Sequence, residues 1–403
     1  MAESADVKPE VNLVIVELHH HSQLLKNLYD ILSLGHFRVT LITLPQIYAK
    51  TGIDLEAGSG FMTVCLKPGK ESIPDFLQRL KPEFEAADVV YFNTVRHYWG
   101  ALNKIPLPPV SIVRTHNVHC DLAPSTHLYR PAANSFSVLR HLIGSVLIGG
   151  EWRLKKAFYD RIGYFMFPNQ PITDYVREKK FVDQRKILEP VVPFGYLGEP
   201  VHESAPPEEG CVTIAVTGTV TNQKKDYDLL FNALKQCLND LEHPIKLVFL
   251  GSTNANDGKS IVNRFRSLES DSFSLDYSEG YISSEAFERK VASADFFVAP
   301  IQTVVRCRKY YEVYGKSKMS GVENDILVFR KPSLVISDYP VGREMEKVVD
   351  YFERTEDSLA LQISKWVNDR VFDERKAAFD TMTGYRKEVI ADRFYQLCRQ
   401  LCG

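Results

Sequence analysis

The sequence predicts an α/β protein of two doubly wound, Rossmann-like parallel-sheet domains, and three observations carry that expectation. Short, almost wholly apolar runs alternate with helical patterns along most of the chain, as strands covered by helices on both faces require. The alternation stops at "YLGEPVHESAPPEEG" (196–210), rich in Pro, Glu and Gly, and then restarts. With 403 residues, 44% of them hydrophobic, the chain is long enough for two or three domains of roughly 150 residues each.

The first domain, residues 1–198, opens with "VNLVIVEL" (11–18), a helical pattern through Leu34, and "FRVTLITL" (37–44). It continues with "ADVVYFNT" (87–94), "VSIVRTH" (110–116) and a last strand-like stretch, "RKILEPVVPFG" (185–195). Residues 199–210 read as a linker. The second domain, 211–374, runs through "VTIAVTG" (212–218), "IKLVFLGS" (245–252), "FSLDYSEGYI" (273–282), "ADFFVAPI" (294–301) and "PSLVIS" (332–337). From about residue 355 the chain is helical and charged, and its last part, about 375–403, is expected to pack back on the first domain. Two such domains place the carboxyl ends of both sheets at a shared cleft, where doubly wound sheets bind ligands.

A net charge of −2 and a sequence pI near 6.6 argue against nucleic-acid binding through bulk electrostatics, so any anion site is local. The seven cysteines (65, 120, 211, 237, 307, 398, 402) are scattered and lack metal-ligand spacing, which suits a reducing compartment. "MAESADVKPE" has no signal-peptide pattern, and no apolar run reaches the roughly 18 residues of a membrane span. The expectation is a cytoplasmic protein.

Local anion sites are suggested at two places. In "TGTVTNQKKDYDLL" (217–230), Gly218 permits a sharp turn and Lys224 and Lys225 stand before a helix beginning near Asp226, whose unpaired N–H groups favour anions. The same lysines also read as solvated surface. In "EVYGKSKMSGVENDILVFRKPSLV" (312–335), Gly315 and Gly321 bracket Lys316, Ser317, Lys318 and Ser320 ahead of a helix. Glu323 and Asp325 in its first turn either satisfy the helix dipole or accept hydrogen bonds from ribose. Neither stretch has dinucleotide-binding or P-loop spacing.

The order "TGTVTNQKKDYDLLFNAL", "GYISSEAFERKVASADFFVAPI", "YGKSKMSGVENDILVFRKPSLV" resembles the donor half of GT-B glycosyltransferases, especially the large retaining, family-4-like group. In the first half, "RTHNVH" (114–119), "YDRIGYFMFPNQPITDYV" (159–176) and "VVPFGY" (191–196) are similar to that family as well. The resemblance implies a GT-B architecture and a nucleotide-sugar-dependent hexosyltransferase that uses no metal. It implies a UDP- or GDP-linked donor sugar and a glycan, lipid or protein acceptor. It also implies that Gly218, Thr219, Lys224 and Lys225 hold the diphosphate, that Tyr281 and Ile282 lie near the base, and that the loop Lys316–Gly321 joins them. Counting back from Pro332 sets Asp325 at the second acid of the family's E-x7-E pattern and Ser317 where its first acid stands. The family's Arg after the turn glycine is Thr219 here.

Such a reaction builds charge on a leaving phosphate, which lysines and helix N-termini stabilise. In the first domain His116, ending a strand, is the lead candidate at the donor sugar, with His119 a second. The run His19-His20-His21 reads as acceptor contact or solvated loop. A direct-displacement mechanism needs a base, for which His21, His116 and Glu17 are available; the resemblance favours retention. "FSVLRHLIGSVLIGGEWRLKKAFYDR" (136–161) reads as a core helix followed by a solvated one, or as a basic amphipathic stretch for peripheral membrane contact. A sugar-nucleotide epimerase or hydrolase, or a non-catalytic binding module, are the alternatives on the same fold.

Overall fold

The computed structural model describes residues 10–19, 21–54, 60–122, 150–199, 210–280, 282–307 and 310–403. Most of the expected linker (200–209), residues 136–149 of the basic amphipathic stretch, His20 and Tyr281 therefore lie outside the described residues. Two compact units emerge: Met1–Phe194 with Arg306–Tyr311 and Lys387–Gly403, and Gly195–Val305 with Glu312–Arg386.

The first unit holds strands β1 (Val11–Glu17), β2 (Phe37–Thr43), β3 (Met62–Leu66), β4 (Val89–Thr94), β5 (Val110–Arg114) and β6 (Tyr164–Met166). They form one sheet in the order β3-β2-β1-β4-β5-β6, parallel throughout. Every residue of β4 and β5 is buried, which is why their sequences are mostly apolar rather than alternating, with the polar Asn93, Thr94 and Arg114 confined to their carboxyl ends. The helix Lys387–Cys402 packs on this unit against the helix Ser22–Leu32, with Phe394 stacked 5.7 Å from Phe37. The stretch 185–195 is not a strand. It holds a 3-10 turn at Gln184–Lys186 and one isolated bridge from Ile187 to Phe165, because Pro190 and Pro193 remove the N–H groups a ladder needs.

The second unit holds β7 (Val212–Thr217), β8 (Ile245–Leu250), β9 (Phe273–Asp276) and β10 (Phe296–Ala299). After a two-stranded ribbon, β11 (Val304–Cys307) with β12 (Tyr310–Val313), come β13 (Ser333–Ile336) and β14 (Val349–Phe352). The sheet order is β14-β13-β10-β7-β8-β9, again parallel, so each sheet reverses direction once, between β1 and β4 and between β7 and β10. Strand order reversal leaves a crevice outside the carboxyl ends of the two central strands, and both candidate sites sit at these points. Among the described residues no helix is long and apolar enough to cross a membrane.

Candidate functional site

In the second unit, β7 ends at Thr217 and the chain turns at Gly218, whose φ of +86° is a conformation L side chains rarely adopt. Beneath the turn the Gly218 carbonyl lies so close to Gly251, at the end of β8, that a Cβ there would stand 2.0 Å from it. Gly218 N donates to Leu250 O at 2.9 Å and Val220 N to Ser252 O at 3.0 Å, carrying the β7–β8 pairing into the loop. The Asp257 carboxylate accepts from Asn222 N at 2.8 Å, and Asn222 Oδ1 from Tyr227 N at 2.9 Å. Across the switch point, Asp226 N donates to Pro300 O at 2.6 Å and Gln302 N to Lys224 O at 3.0 Å. Loop 218–226 is thus ordered by folding, and a ligand need not meet that entropy cost.

Lys224 and Lys225 are not an exposed pair. Lys224 faces solvent, whereas Lys225 is 6% exposed, its backbone bridged to Ile301 after β10. Neighbouring residues of an extended segment point to opposite sides, so the bridge decides which lysine turns inward. Its ammonium lies 3.6 Å from where a side chain on Gly218 would begin. Burial lowers its pKa to about 8, with the Asp325 carboxylate opposing and Lys224 adding to the drop. Among the described residues it has no hydrogen-bond acceptor. A buried ammonium with unused donors is an anion site in waiting.

Asp325, on the helix Gly321–Phe329, is brought to this point. Burial raises its pKa, while the Thr217 hydroxyl donating to it and the Lys225 ammonium lower it. Glu323 goes elsewhere: it is buried and accepts from Tyr339 Oη, which in turn accepts from Ser320 N at 2.8 Å. Through Tyr339 it braces the loop at the start of this helix, a role the sequence did not suggest, and its carboxylate is not turned toward a ribose. Ser317 also departs from its expected place in a phosphate cradle. It is fully buried, its hydroxyl accepting from Val313 N at 2.7 Å to close the turn that Gly315 opens at φ +76°. Ser320 caps the helix, accepting from Val322 N. Lys316 is exposed and Lys318 half-buried, and neither is among the charges acting on Lys225. Gly321 is exposed, Thr219 and Ile282 half-buried. The helix Tyr227–Cys237 offers less to an anion than expected, because Asp226 itself caps it, accepting from Leu229 N at 3.0 Å.

Arg354, which the sequence did not single out, clamps the same corner. Its guanidinium donates to Ile301 O at 3.0 Å and Thr303 Oγ1 at 2.9 Å and pairs with Asp338 at 3.0 Å and Asp226 at 3.5 Å. Arg354→Ala is expected to lower the unfolding free energy by about 1–2 kcal/mol, checked by thermal melts. An unchanged melting temperature would show that the loop holds its shape without the clamp.

In the first unit, Glu17 at the end of β1 is fully buried, Oε2 accepting from Asn93 Nδ2 at 2.7 Å and Oε1 from His19 N at 2.8 Å. Arg114 Nη1 donates to Asn93 Oδ1 at 3.2 Å, so the ends of β1, β4 and β5 are tied together through Asn93. Glu17 is a clamp, too enclosed to take a proton from a substrate. His116 Nε2 lies 2.8 Å from Asn93 O. A carbonyl only accepts, which assigns a proton to Nε2. The His21 ring stacks on His116 at 4.5 Å. His119 is buried, with Nδ1 2.8 Å from Tyr311 O and Nε2 2.7 Å from Tyr175 Oη, a structural arrangement. The helix Glu151–Arg161 buries Phe158 and exposes Trp152 and Leu154.

No family profile matches the sequence, and no characterised protein matches it in sequence. Solved structures match in fold. AviGT4, a glycosyltransferase of avilamycin A biosynthesis, superposes with a TM-score of 0.59 at 14% identity over 97% of this chain and 98% of its own. HepE from Anabaena, in complex with UDP and glucose, gives 0.57 at 14% identity over 97% of this chain and 100% of its own. A protein assigned as a UDP-N-acetylglucosamine 2-epimerase from Listeria monocytogenes gives 0.52 at 9% identity, covering 96% and 95%. The chain has the GT-B fold of two doubly wound domains.

Proposed function

We propose that this protein is a glycosyltransferase that uses a nucleoside-diphosphate sugar, with the diphosphate received at Lys225. The observation that carries this reading is the buried ammonium at the β7–β10 switch point, lacking a hydrogen-bond acceptor among the described residues beside the exposed turn at Gly218. In this reading the backbone of Gly218 and Thr219 approaches the phosphates and Asp325 receives the ribose. Lys224, Lys316 and Lys318 supply outer positive potential, and Ile282 lies by the base. UDP is the first candidate because a HepE structure of the same fold carries it.

The bond between sugar C1 and the β-phosphate oxygen breaks, its electron pair staying on the phosphate, while the acceptor hydroxyl oxygen bonds C1. A positioned donor at such an oxyanion is worth about 2.7–4 kcal/mol. With retention, the departing phosphate takes the acceptor proton and His116 positions the sugar. With inversion, a base of the first unit takes it, and His116 is the first candidate. The anomeric configuration of the product, read by proton NMR, separates the two.

The ammonium form binds the anion, and the empty site titrates near 8. UDP ionises fully below that, since the second phosphate ionisation lies near 6. Affinity for UDP is therefore expected to fall roughly twentyfold between pH 7.5 and 9.5, with proton uptake on binding at the upper end, measured by calorimetry in two buffers. A flat profile would remove Lys225 from the binding site. One observation favours an epimerase as the second reading, the Listeria fold match; it requires donor turnover with no acceptor present.

A further inference from the structure

The ribbon β11–β12 ends its first strand at Cys307, and residues Arg306–Tyr311 belong to the first unit. There they meet the helix Val118–Leu122, which begins two residues after His116. His119 Nδ1 lies 2.8 Å from Tyr311 O, and the two rings are 5.1 Å apart, edge to face. Lys155 Nζ donates to Cys120 O at 2.6 Å and stands 5.8 Å from the centre of the Tyr310 ring. On the same two elements the Cys120 thiol is hydrogen-bonded to the Cys307 sulfur. The fold thus joins two thiols 187 residues apart in sequence (307 − 120), and neither is in a disulfide.

The two are unequal. Cys120 is 8% exposed, and its hydrogen bond to Cys307, its burial and the Asp121 carboxylate hold its proton far above the usual thiol range. Cys307 is half-buried, so an oxidant from solvent reaches it first. Cys237, by contrast, is buried against the Ser364 hydroxyl, a partner that cannot bond covalently to sulfur.

We propose that Cys120 and Cys307 form a reversible dithiol–disulfide pair, closed by a peroxide, that pins the ribbon tip to the helix after His116. The Cys307 sulfur attacks one peroxide oxygen, the O–O bond breaks, and hydroxide leaves as water with the Cys307 proton. A sulfenic acid remains. The Cys120 sulfur then attacks it: the S–S bond forms, the S–O bond breaks, and the hydroxide departs as a second water with the proton that Cys120 held. Two thiols lose two electrons and the peroxide gains them. The bond closes a long loop of the unfolded chain, so the oxidised protein should be the more stable form. Neither step involves a nucleotide, so the pair is independent of the transferase reading.

The test exposes the full-length protein to dilute hydrogen peroxide, caps the remaining thiols with N-ethylmaleimide and maps the digest by mass spectrometry with and without dithiothreitol. The expected product links the Cys120 and Cys307 peptides, lighter by two hydrogens than their sum, and dithiothreitol removes it. Its melting midpoint should lie a few degrees above that of the reduced protein. Cys120→Ser and Cys307→Ser should each remove the link and the rise, while Cys402→Ser keeps both. The peptide map is read on the wild-type chain, so it decides even where Cys120→Ser does not fold. Cys307 collecting as sulfinic acid with Cys120 still capped by N-ethylmaleimide overturns the proposal. So does a link to another cysteine, or a Cys120–Cys307 link that forms only in urea. A link without the rise in melting would refute the pinning.

Discussion

Lys225→Met is expected to abolish diphosphate binding while making the folded protein more stable. Methionine fills much the same volume and carries no charge into the interior. The native ammonium is disfavoured by burial, its pKa falling from 10.5 to about 8, a shift that corresponds to a cost of about 3 kcal/mol at neutral pH. The sign follows from proton binding. Below pH 8 both folded and unfolded chains carry the proton and the full cost applies; between 8 and 10.5 the folded chain has lost it first, and the cost fades. Wild-type stability should therefore climb with pH across that window, and the variant should lack the climb while lying about 1–3 kcal/mol higher below it. Turnover should drop by about 10²–10³. Denaturant melts at pH 7 and pH 10 with UDP titrations check both halves. A lysine kept for structure would give the opposite result, with the variant melting sooner.

Gly251→Ala should cost more stability than any other single change at this corner. The added Cβ would meet Gly218 O at 2.0 Å, Gly218 C at 2.3 Å and Thr219 N at 2.8 Å, all backbone atoms that no rotamer change can clear. Relief requires β7 and β8 to part at the floor of the site. A loss above about 3 kcal/mol is expected, in the range of overpacked cores, together with loss of nucleotide affinity. Gly321→Ala serves as the control, since its Cβ meets nothing within 4 Å. Melts of both variants decide whether the close approach of turn and strand is as tight as described.

The fold was readable because buried parallel strands must be apolar on both faces, and β1, β2, β4, β5, β7, β8 and β10 announce themselves as such runs. β3, with two of its five residues partly buried and two exposed, gives no such signal. β6 is only three residues long, and β14 interrupts its four residues with Asp350. Counting from Pro332 set Asp325 at the second acid of the family's pattern, and the residue lies by Lys225, because helix spacing transmits position faithfully over two turns. What could not be read was the direction of Lys225. That is set by a backbone bridge to Ile301, 76 residues on (301 − 225), and nothing in "NQKKDY" distinguishes the two lysines. Arg354 escaped for the same reason: its partners, Asp226, Ile301, Thr303 and Asp338, meet it only through the fold. Ser317 in a phosphate cradle and Glu323 at a ribose were misplaced because hydroxyls and carboxylates beside glycines serve turns as readily as ligands, and here Val313 N and Tyr339 claim them.

The central claim is that a nucleoside diphosphate is held by the Lys225 ammonium at the end of β7. A crystal structure of the protein with UDP tests it most directly. The account predicts a phosphate oxygen within hydrogen-bond distance of Lys225 Nζ above the Gly218 turn, and ribose hydroxyls at Asp325. A nucleotide seated away from the β7–β10 switch point, with Lys225 still lacking an anion, would contradict it.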